Sequence, residues 1–214
     1  NMTEKFLVGI DEVGRGPLAG PVAVGVAVVS FRDFKSKKVK DVLKIAKDSK
    51  KLSEKKREEI FKIVKSIESI KYCVSFESNK FIDKKGISFA IKSCIQKSLK
   101  DLKLQPKNCE IFLDGGLKAP KEFIKQTSII KGDQKNKLIS LASIVAKVTR
   151  DRYMKKLGNK YPKYGFEVHK GYGTRKHLEA VGKMGPSEIH RKTFLRNHLA
   201  VRSPSWKAGR QVRA

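Results

Sequence analysis

Cysteine is scarce in this chain, tryptophan occurs once, and acidic residues are outnumbered more than two to one by basic ones. Each shortage removes a class of protein. The three cysteines, Cys73, Cys94 and Cys109, are an odd number without CxxC spacing, and each sits among apolar neighbours. That pattern excludes a disulfide scaffold and a thiolate zinc site, and it reads as buried free thiols in a reducing compartment. No apolar run approaches the ~18 residues of a membrane span, and no signal-peptide pattern is visible. The expectation is a soluble, cytoplasmic protein. Internal repeats and low-complexity linkers are missing too, so 214 residues read as one compact domain with at most a small appendage.

What is abundant is positive charge. Forty-nine Lys and Arg against 21 acids leave a formal charge of +28. Exposed lysine costs a fold little, so part of this is compositional. A surface this basic also gains by releasing counterions from a polyanion, which points to nucleic acid. Charge alone does not separate an enzyme from a coat protein.

Phe6 to Ile10 is a short apolar run ending in Asp11-Glu12, followed by a Gly/Pro-rich turn from Gly14 to Pro21 and a valine-rich run from Val22 to Val29. Two strands joined by a glycine-rich loop account for this. Residues 31–52 are polar and weakly periodic, a loop with some helix. Ser53 caps a helix running to about Glu68, with Ile60, Phe61, Ile63, Val64 and Ile67 on one face. Ile70 to Phe76 reads as a third strand, Ile87 to Leu99 as an amphipathic helix, Glu110 to Leu113 and Ser128 to Ile130 as strands, and Leu138 to Met154 as a long helix. From Arg152 onward there are 16 Lys/Arg and 3 Glu among several Gly, Pro and aromatic residues. This stretch reads as a basic appendage of short helices and loops, its last residues disordered. The order of elements predicts an α/β sheet of mixed direction.

Three acidic positions share one context: Asp11-Glu12, Asp114 and Asp133 each follow, or nearly follow, a short apolar strand. Strand ends of an open α/β sheet are where sites assemble. Carboxylates that converge repel unless cations relieve them, and all-oxygen donors suit Mg²⁺ or Mn²⁺. Two such ions activate a water and stabilise the leaving oxygen of a phosphodiester. Neighbours on a strand point to opposite faces, so Asp11 and Glu12 reach one site only if the strand ends or bulges there. Gly14-Arg15-Gly16 allows a close backbone approach to a ligand, with Arg15 available to a phosphate. Asp48-Ser49-Lys50-Lys51-Leu52-Ser53 places hydroxyls and amines at a helix start, either a phosphate seat or a plain cap with a solvated charge run. In His169-Lys170-Gly171-Tyr172-Gly173-Thr174, Tyr172 is either a stacking platform or simply packed on the body. His169, His177 and His190 lack zinc-ligand spacing and are read as structural or phosphate-facing.

Ile10-Asp11-Glu12-Val13-Gly14-Arg15-Gly16-Pro17 and Ala19-Gly20-Pro21-Val22 resemble the opening signature of the ribonuclease HII family. The similarity continues through Asp48-Ser49-Lys50-Lys51-Leu52-Ser53, Asp114-Gly115, Lys131-Gly132-Asp133, the block from Ala142 to Asp151, His169-Lys170-Gly171-Tyr172 and His190-Arg191. The resemblance implies an α/β, ribonuclease H-like fold: a five-stranded mixed sheet flanked by helices, plus a small C-terminal helical region. Residues 2–155 would form the catalytic domain, 156–200 the basic helical region carrying Tyr172, and 201–214 a basic tail. It implies that Asp11, Glu12, Asp114 and Asp133 hold a two-metal site of Mg²⁺ or Mn²⁺. Asp151 competes for the fourth place and is expected instead to pair with a neighbouring arginine. It further implies that Gly14, Arg15, Gly16 and Tyr172 read the junction where RNA meets DNA, with Ser49, Lys50 and Lys51 also binding substrate.

The expected activity is hydrolysis of RNA in RNA–DNA hybrids and incision 5′ of single ribonucleotides in duplex DNA, leaving 3′-hydroxyl and 5′-phosphate ends. The expected partners are those duplexes, and the protein is expected to be a monomer. The alternatives are a ribonuclease HIII-like enzyme that cuts RNA runs but not a lone ribonucleotide, and a basic binding protein without catalysis. Two departures from the family stand out: Ile82-Asp83-Lys84-Lys85-Gly86-Ile87 lacks an Asn common in relatives, with Lys85 as a substitute phosphate contact, and the tail with Trp206 has no family pattern.

Overall fold

The computed structural model describes residues 4–46 and 52–196. Two valine-rich segments, β1 (Phe6–Val13) and β2 (Val22–Ser30), pair antiparallel from Phe6↔Ser30 to Val13↔Ala23. All nine residues of β2 are buried, as a strand covered on both faces requires. The chain then forms a 3-10 turn at Asp33–Lys35, α1 (Lys37–Ile45) and α2 (Glu54–Lys65), and returns as β3 (Ile70–Glu77), antiparallel to β2. After α3 (Asn79–Lys85) and α4 (Ile87–Asp101), β4 (Cys109–Asp114) and β5 (Gln126–Ile129) join parallel on the other side of β1. The sheet is mixed and five-stranded, in the order β3-β2-β1-β4-β5. Next come α5 (Gly132–Lys135), α6 (Lys137–Lys160), α7 (Phe166–His169) and α8 (Arg175–Met184). No described helix is long and apolar enough to cross a membrane.

Side chains alternate along β1 between two cores. Val8 and Ile10 join Ile111, Leu113 and the buried face of α4 on one side. Leu7 joins α1, α2 and α6 on the other. Gly9 and Gly25 lie on the α6 side, and neither could carry a side chain there. A Cβ on Gly9 would fall 2.2 Å from the carbonyl carbon of Leu138, and one on Gly25 would fall 2.3 Å from the carbonyl oxygen of Ala142. The backbone of α6 therefore rests directly on the sheet.

The C-terminal segment is bound back onto the turn between β1 and β2. Ala19 forms a bridge with His190, Leu18 N donates to Gly171 O, and Arg191 N donates to Leu18 O. The helix α6 passes through residues 155 and 156 without a break and continues to Lys160, beyond the expected end at Met154. Met154 is fully buried, and Gly158 lies so close to Glu167 that a Cβ would be 2.9 Å from its backbone nitrogen. Packing of the C-terminal segment prolongs the helix.

Other elements differ from the sequence expectation for local reasons. The helix from Ser53 stops at Lys65, short of Glu68, where Ser66 N donates to Ile63 O and Val64 O. Within 31–52 the expected stretch of helix is α1, capped by Ser36 and burying Val39, Val42 and Leu43. The helix α3, capped by Ser78, falls in a stretch with no predicted element. Its Asp83 accepts from Lys192 N, Thr193 N and Thr193 Oγ1, so this departure from the family anchors the C-terminal segment. Cys73, Cys94 and Cys109 are free thiols, as expected, and Cys73 is only half-buried. The tail from Ser203, with Trp206, lies outside the described residues.

The contact between α6 and the sheet predicts a sharp contrast between two glycines. Gly25→Ala should lower unfolding free energy by about 1–3 kcal/mol, because backbone rather than a flexible side chain must yield. Gly182→Ala, in α8 with open space around its Cβ position, should be neutral or stabilising by up to ~1 kcal/mol. Urea denaturation of both variants checks this, and equal effects would contradict it.

Candidate active site

The acidic cluster arises where two strands part. β1 stays paired with β2 through Val13, but its pairing with β4 stops at Ile10↔Leu113. The next residues along the two strands are Asp11 and Asp114. Strand alternation turns both toward the α6 side, and Asp11 is only 2% exposed. Glu12, on the opposite side, lines a cleft of about 840 Å³ together with Asp114, α4 and the turn at residues 115–122. The separation of β4 from β1 lets Asp114 share a neighbourhood with both acids, although β1 itself neither ends nor bulges between them.

Asp133 is brought in by a turn. Asp114 Oδ1 accepts from Gly132 N at 2.6 Å, which ties the start of α5 to the end of β4. Lys131 adopts a left-handed conformation (φ 56°) to make this turn, at a cost of about 1–2 kcal/mol. Asp133 is buried, but it lines a separate cavity of about 200 Å³ with Asn136, Lys137 and Ser140. Among the described residues, no three of His, Cys, Asp and Glu stand close enough to hold one metal ion. Asp151 accepts from Lys147 Nζ at 2.8 Å, not from an arginine as expected. The neighbouring arginines are used elsewhere: Arg150 bonds backbone carbonyls and Arg152 pairs with Glu58.

Two fully buried arginines, whose roles the sequence reading missed, shape the glycine-rich turn. Arg191 donates through Nη2 to Gly14 O at 2.7 Å, through Nη1 to Arg15 O at 2.9 Å and through Nε to Gly20 O at 2.9 Å. Arg150 donates to Pro21 O at 2.9 Å and Lys170 O at 3.2 Å. Burial lowers the pKa of both guanidinium groups, that of Arg191 to about 9. Gly14 (φ +83°) is a glycine by necessity, since a Cβ would fall 2.2 Å from Arg150 Nε. His190-Arg191 stood in the family motif and Arg150 in the long helix block, but nothing local marked them as carbonyl clamps.

The clamps bring the sequence-predicted reader residues together. Gly14, Arg15, Gly16 and Tyr172 line one pocket of about 280 Å³ with Glu12, Arg57, Ser143 and Lys147. Tyr172 is 41% exposed. Arg15 Nε also pairs with Glu12 Oε1 at 3.0 Å. Ser49, Lys50 and Lys51 lie outside the described residues.

Three histidines lock the loop that carries Tyr172, and they are structural rather than phosphate-facing. Ser187 N donates to His190 Nδ1, so the His190 proton sits on Nε2, 3.0 Å from His177 Nε2. His177 then carries its own proton on Nδ1 and donates it to Tyr172 O at 2.8 Å. His169 stacks on His177 at 4.3 Å, accepts from Gly171 N and donates to Tyr164 O.

Two predictions arise here. Arg191→Lys keeps a charge but cannot reach three carbonyls, and it should cost about 2 kcal/mol or more, read as a lowered denaturation midpoint. Burial pushes His190 down to about 4, whereas an unfolded histidine titrates near ~6.5. The unfolded chain binds this proton first, so the stability is present above ~6.5 and lost as pH falls to about 4, on the order of 3 kcal/mol in all. Denaturation at pH 7 and pH 4.5 measures the loss. A His190→Gln variant with the same pH dependence would show that other groups cause it.

The chain matches the family model of Ribonuclease HII over residues 8–200. It is 46% identical over 198 residues to the ribonuclease HII of Caldicellulosiruptor bescii, covering 92% of this chain and 90% of that one. It is 49% identical over 189 residues to the ribonuclease HII of Bacillus thuringiensis, covering 88% and 68%. Among solved structures, ribonuclease H2 from Pyrococcus horikoshii aligns with a TM-score of 0.68 at 29% identity, covering 90% and 96%. The ribonuclease H-like sheet expected from the sequence is the one observed. Carboxylates where two strands part, a clamped Gly-Arg-Gly turn and relatives of this similarity lead to one conclusion: the chain belongs to the ribonuclease HII family, endonucleases that hydrolyse RNA in RNA–DNA hybrids.

Proposed function

We propose that this chain, beyond cutting RNA–DNA hybrids, incises duplex DNA on the 5′ side of a single embedded ribonucleotide, leaving 3′-hydroxyl and 5′-phosphate ends. One observation carries the reading: Glu12 and Arg15 line both the cleft of Asp114 and the pocket of Gly14, Gly16 and Tyr172. Groups suited to reading a sugar thus share a wall with groups suited to phosphodiester hydrolysis. The 2′-hydroxyl is what distinguishes a ribonucleotide from its DNA neighbours, so a reader must approach it closely. The backbone of Gly14 and Gly16 permits that approach, Tyr172 offers a stacking face, and Arg15 is placed to meet a phosphate.

The donor set fits a divalent cation. Asp11, Glu12, Asp114 and Asp133 offer only hard carboxylate oxygens, which suit Mg²⁺ or Mn²⁺. Asp11 and Asp114 occupy adjacent positions where β1 and β4 part, and nearby carboxylates favour a cation between them. When bound, two such ions supply an activated water and stabilise the leaving oxygen. Asp133 contributes through the turn that Asp114 anchors at Gly132, and Asp151 remains occupied by Lys147.

Duplexes carrying one ribonucleotide, a run of four, or none should be incubated with enzyme across Mg²⁺ and Mn²⁺ titrations. The first two should be cut and the third left intact, with the single ribonucleotide remaining attached as the 5′-phosphorylated end of the downstream strand. Asp11→Asn and Asp114→Asn should fall to the level of the all-DNA control while still binding duplex. Cleavage of the run but not of the lone ribonucleotide would overturn junction reading. Full activity in Asp11→Asn would overturn the site assignment.

A further inference from the structure

Tyr172 stands between two glycines, Gly171 (φ +87°) and Gly173. Its flanks therefore have little local preference, and the direction of its ring depends on what the surrounding backbone is bonded to. On one side Gly171 O accepts from Leu18 N at 2.8 Å, which ties the loop to the turn between β1 and β2. On the other, Tyr172 O accepts from Thr174 N at 2.8 Å, within the loop itself, and from His177 Nδ1 at 2.8 Å, on α8. A neutral His177 donates from Nδ1 only while its Nε2 accepts, and the donor that enforces this is His190 Nε2. His190 is itself held: Ser187 N and Ser187 Oγ lie 2.9 and 2.8 Å from its Nδ1, and Asn79 Nδ2 donates to its carbonyl at 3.1 Å.

The next residue is Arg191, whose guanidinium holds the carbonyls of Gly14, Arg15 and Gly20. At His190 the chain is bridged to Ala19, and consecutive side chains on an extended chain project to opposite sides. One side chain thus reaches toward the Tyr172 loop and the next toward the Gly14 turn. Both are buried. A single dipeptide therefore carries the two halves of the junction pocket.

We propose that His190, acting through His177, is a positioning residue for ribonucleotide selectivity: it keeps Tyr172 at a fixed spacing from the Gly14–Gly16 backbone that Arg191 holds, and that spacing gauges one ribose. The inference rests on the junction reading above and adds to it the device that sets its precision. A lone ribonucleotide offers one 2′-hydroxyl, so the gap between ring and glycine backbone must be right at one place. A run of ribonucleotides offers several, and a pocket out of register still engages one of them and cuts elsewhere. Misplacement of this kind costs rate more than binding.

Wild type, His190→Asn, His190→Gln and Asn79→Ala are assayed on duplexes carrying one ribonucleotide or four, and the cut positions are mapped. His190→Asn keeps a polar atom beside Ser187 but cannot reach His177. On the lone ribonucleotide its kcat/KM should fall roughly tenfold, the scale of one buried hydrogen bond, with the loss in kcat and KM near wild type. On the run the fall should be less than about threefold, with cuts spread to positions beside the wild-type one. His190→Gln, whose amide still reaches His177 as a donor, should recover most of the selectivity. In a Tyr172→Ala background, His190→Asn should change selectivity no further. Equal losses on both substrates with unchanged cut positions would overturn the gauge, and so would additive losses in the Tyr172→Ala background. Melting curves establish which variants fold. Asn79→Ala loosens the His190 backbone from a half-buried position and should shift selectivity and cut position in the same sense, so it decides the matter where His190→Asn does not fold. Failure of junction reading is seen separately, as wild type leaving the lone ribonucleotide uncut, and the spread of cuts within the run then still judges the gauge.

Discussion

The structure depends on how closely α6 approaches the sheet. With hydrogen in place of a side chain at Gly9 and Gly25, the helix backbone touches β1 and β2 directly. Interiors are packed as densely as organic crystals, so this contact fixes the height and direction of the helix to a fraction of an ångström. Everything that α6 carries is aimed by it. Ser143 and Lys147 reach the pocket beside Gly14, and one turn further Arg150 reaches the carbonyls of Pro21 and Lys170. A helix held farther off by an ordinary side chain would bring none of these to the strand ends.

The second constraint is electrostatic. Burying an arginine is unfavourable unless its donors are satisfied. Arg191 meets this with carbonyls from Gly14, Arg15 and Gly20, so a residue near the end of the described chain dictates the shape of a turn near its start. Arg150 links the same turn to the segment that leads into Tyr172. The histidine chain from Ser187 through His190 and His177 to the Tyr172 carbonyl closes the circuit. Two loops far apart in sequence are therefore set against each other by groups that stay inside.

Much of this was legible in the sequence because it is local. Valine-rich runs ending in acids announce the strands, and the Gly-Arg-Gly triplet announces a turn with an open backbone. Asp114 closes β4 where the pattern put it, whereas Asp11 and Glu12 lie within β1, which runs on to Val13. What was not legible depends on distant partners. Asp151 was assigned an arginine neighbour by proximity, whereas helix phase hands it to Lys147, four residues earlier on the same face. The end of α6 could not be read because the packing that sustains it comes from Phe166–His169. That Glu12 and Asp114 share a cleft while Asp133 lines another cavity follows from where β4 leaves β1, which no spacing of residues encodes. The helix α1 is a different case: Val39, Val42, Leu43 and Ala46 carry helical spacing, and among the surrounding lysines that spacing marks some helix in a polar stretch without fixing its bounds.

A strongly basic protein whose centre is acidic faces a conflict, since phosphates are drawn to its surface and repelled by the carboxylates within. Arg15 lies at the boundary between the two. Its contact with Glu12 is half exposed, and ion pairs of that kind contribute only about 0–1 kcal/mol. The pair neutralises Glu12 in the free protein without committing Arg15, so Arg15 can turn to a phosphate at little cost. The buried arginines behave in the opposite way, since each is tied to several carbonyls and cannot leave. The backbone of the turn is thus held by buried clamps, while its one charged side chain is held by a single, partly exposed ion pair.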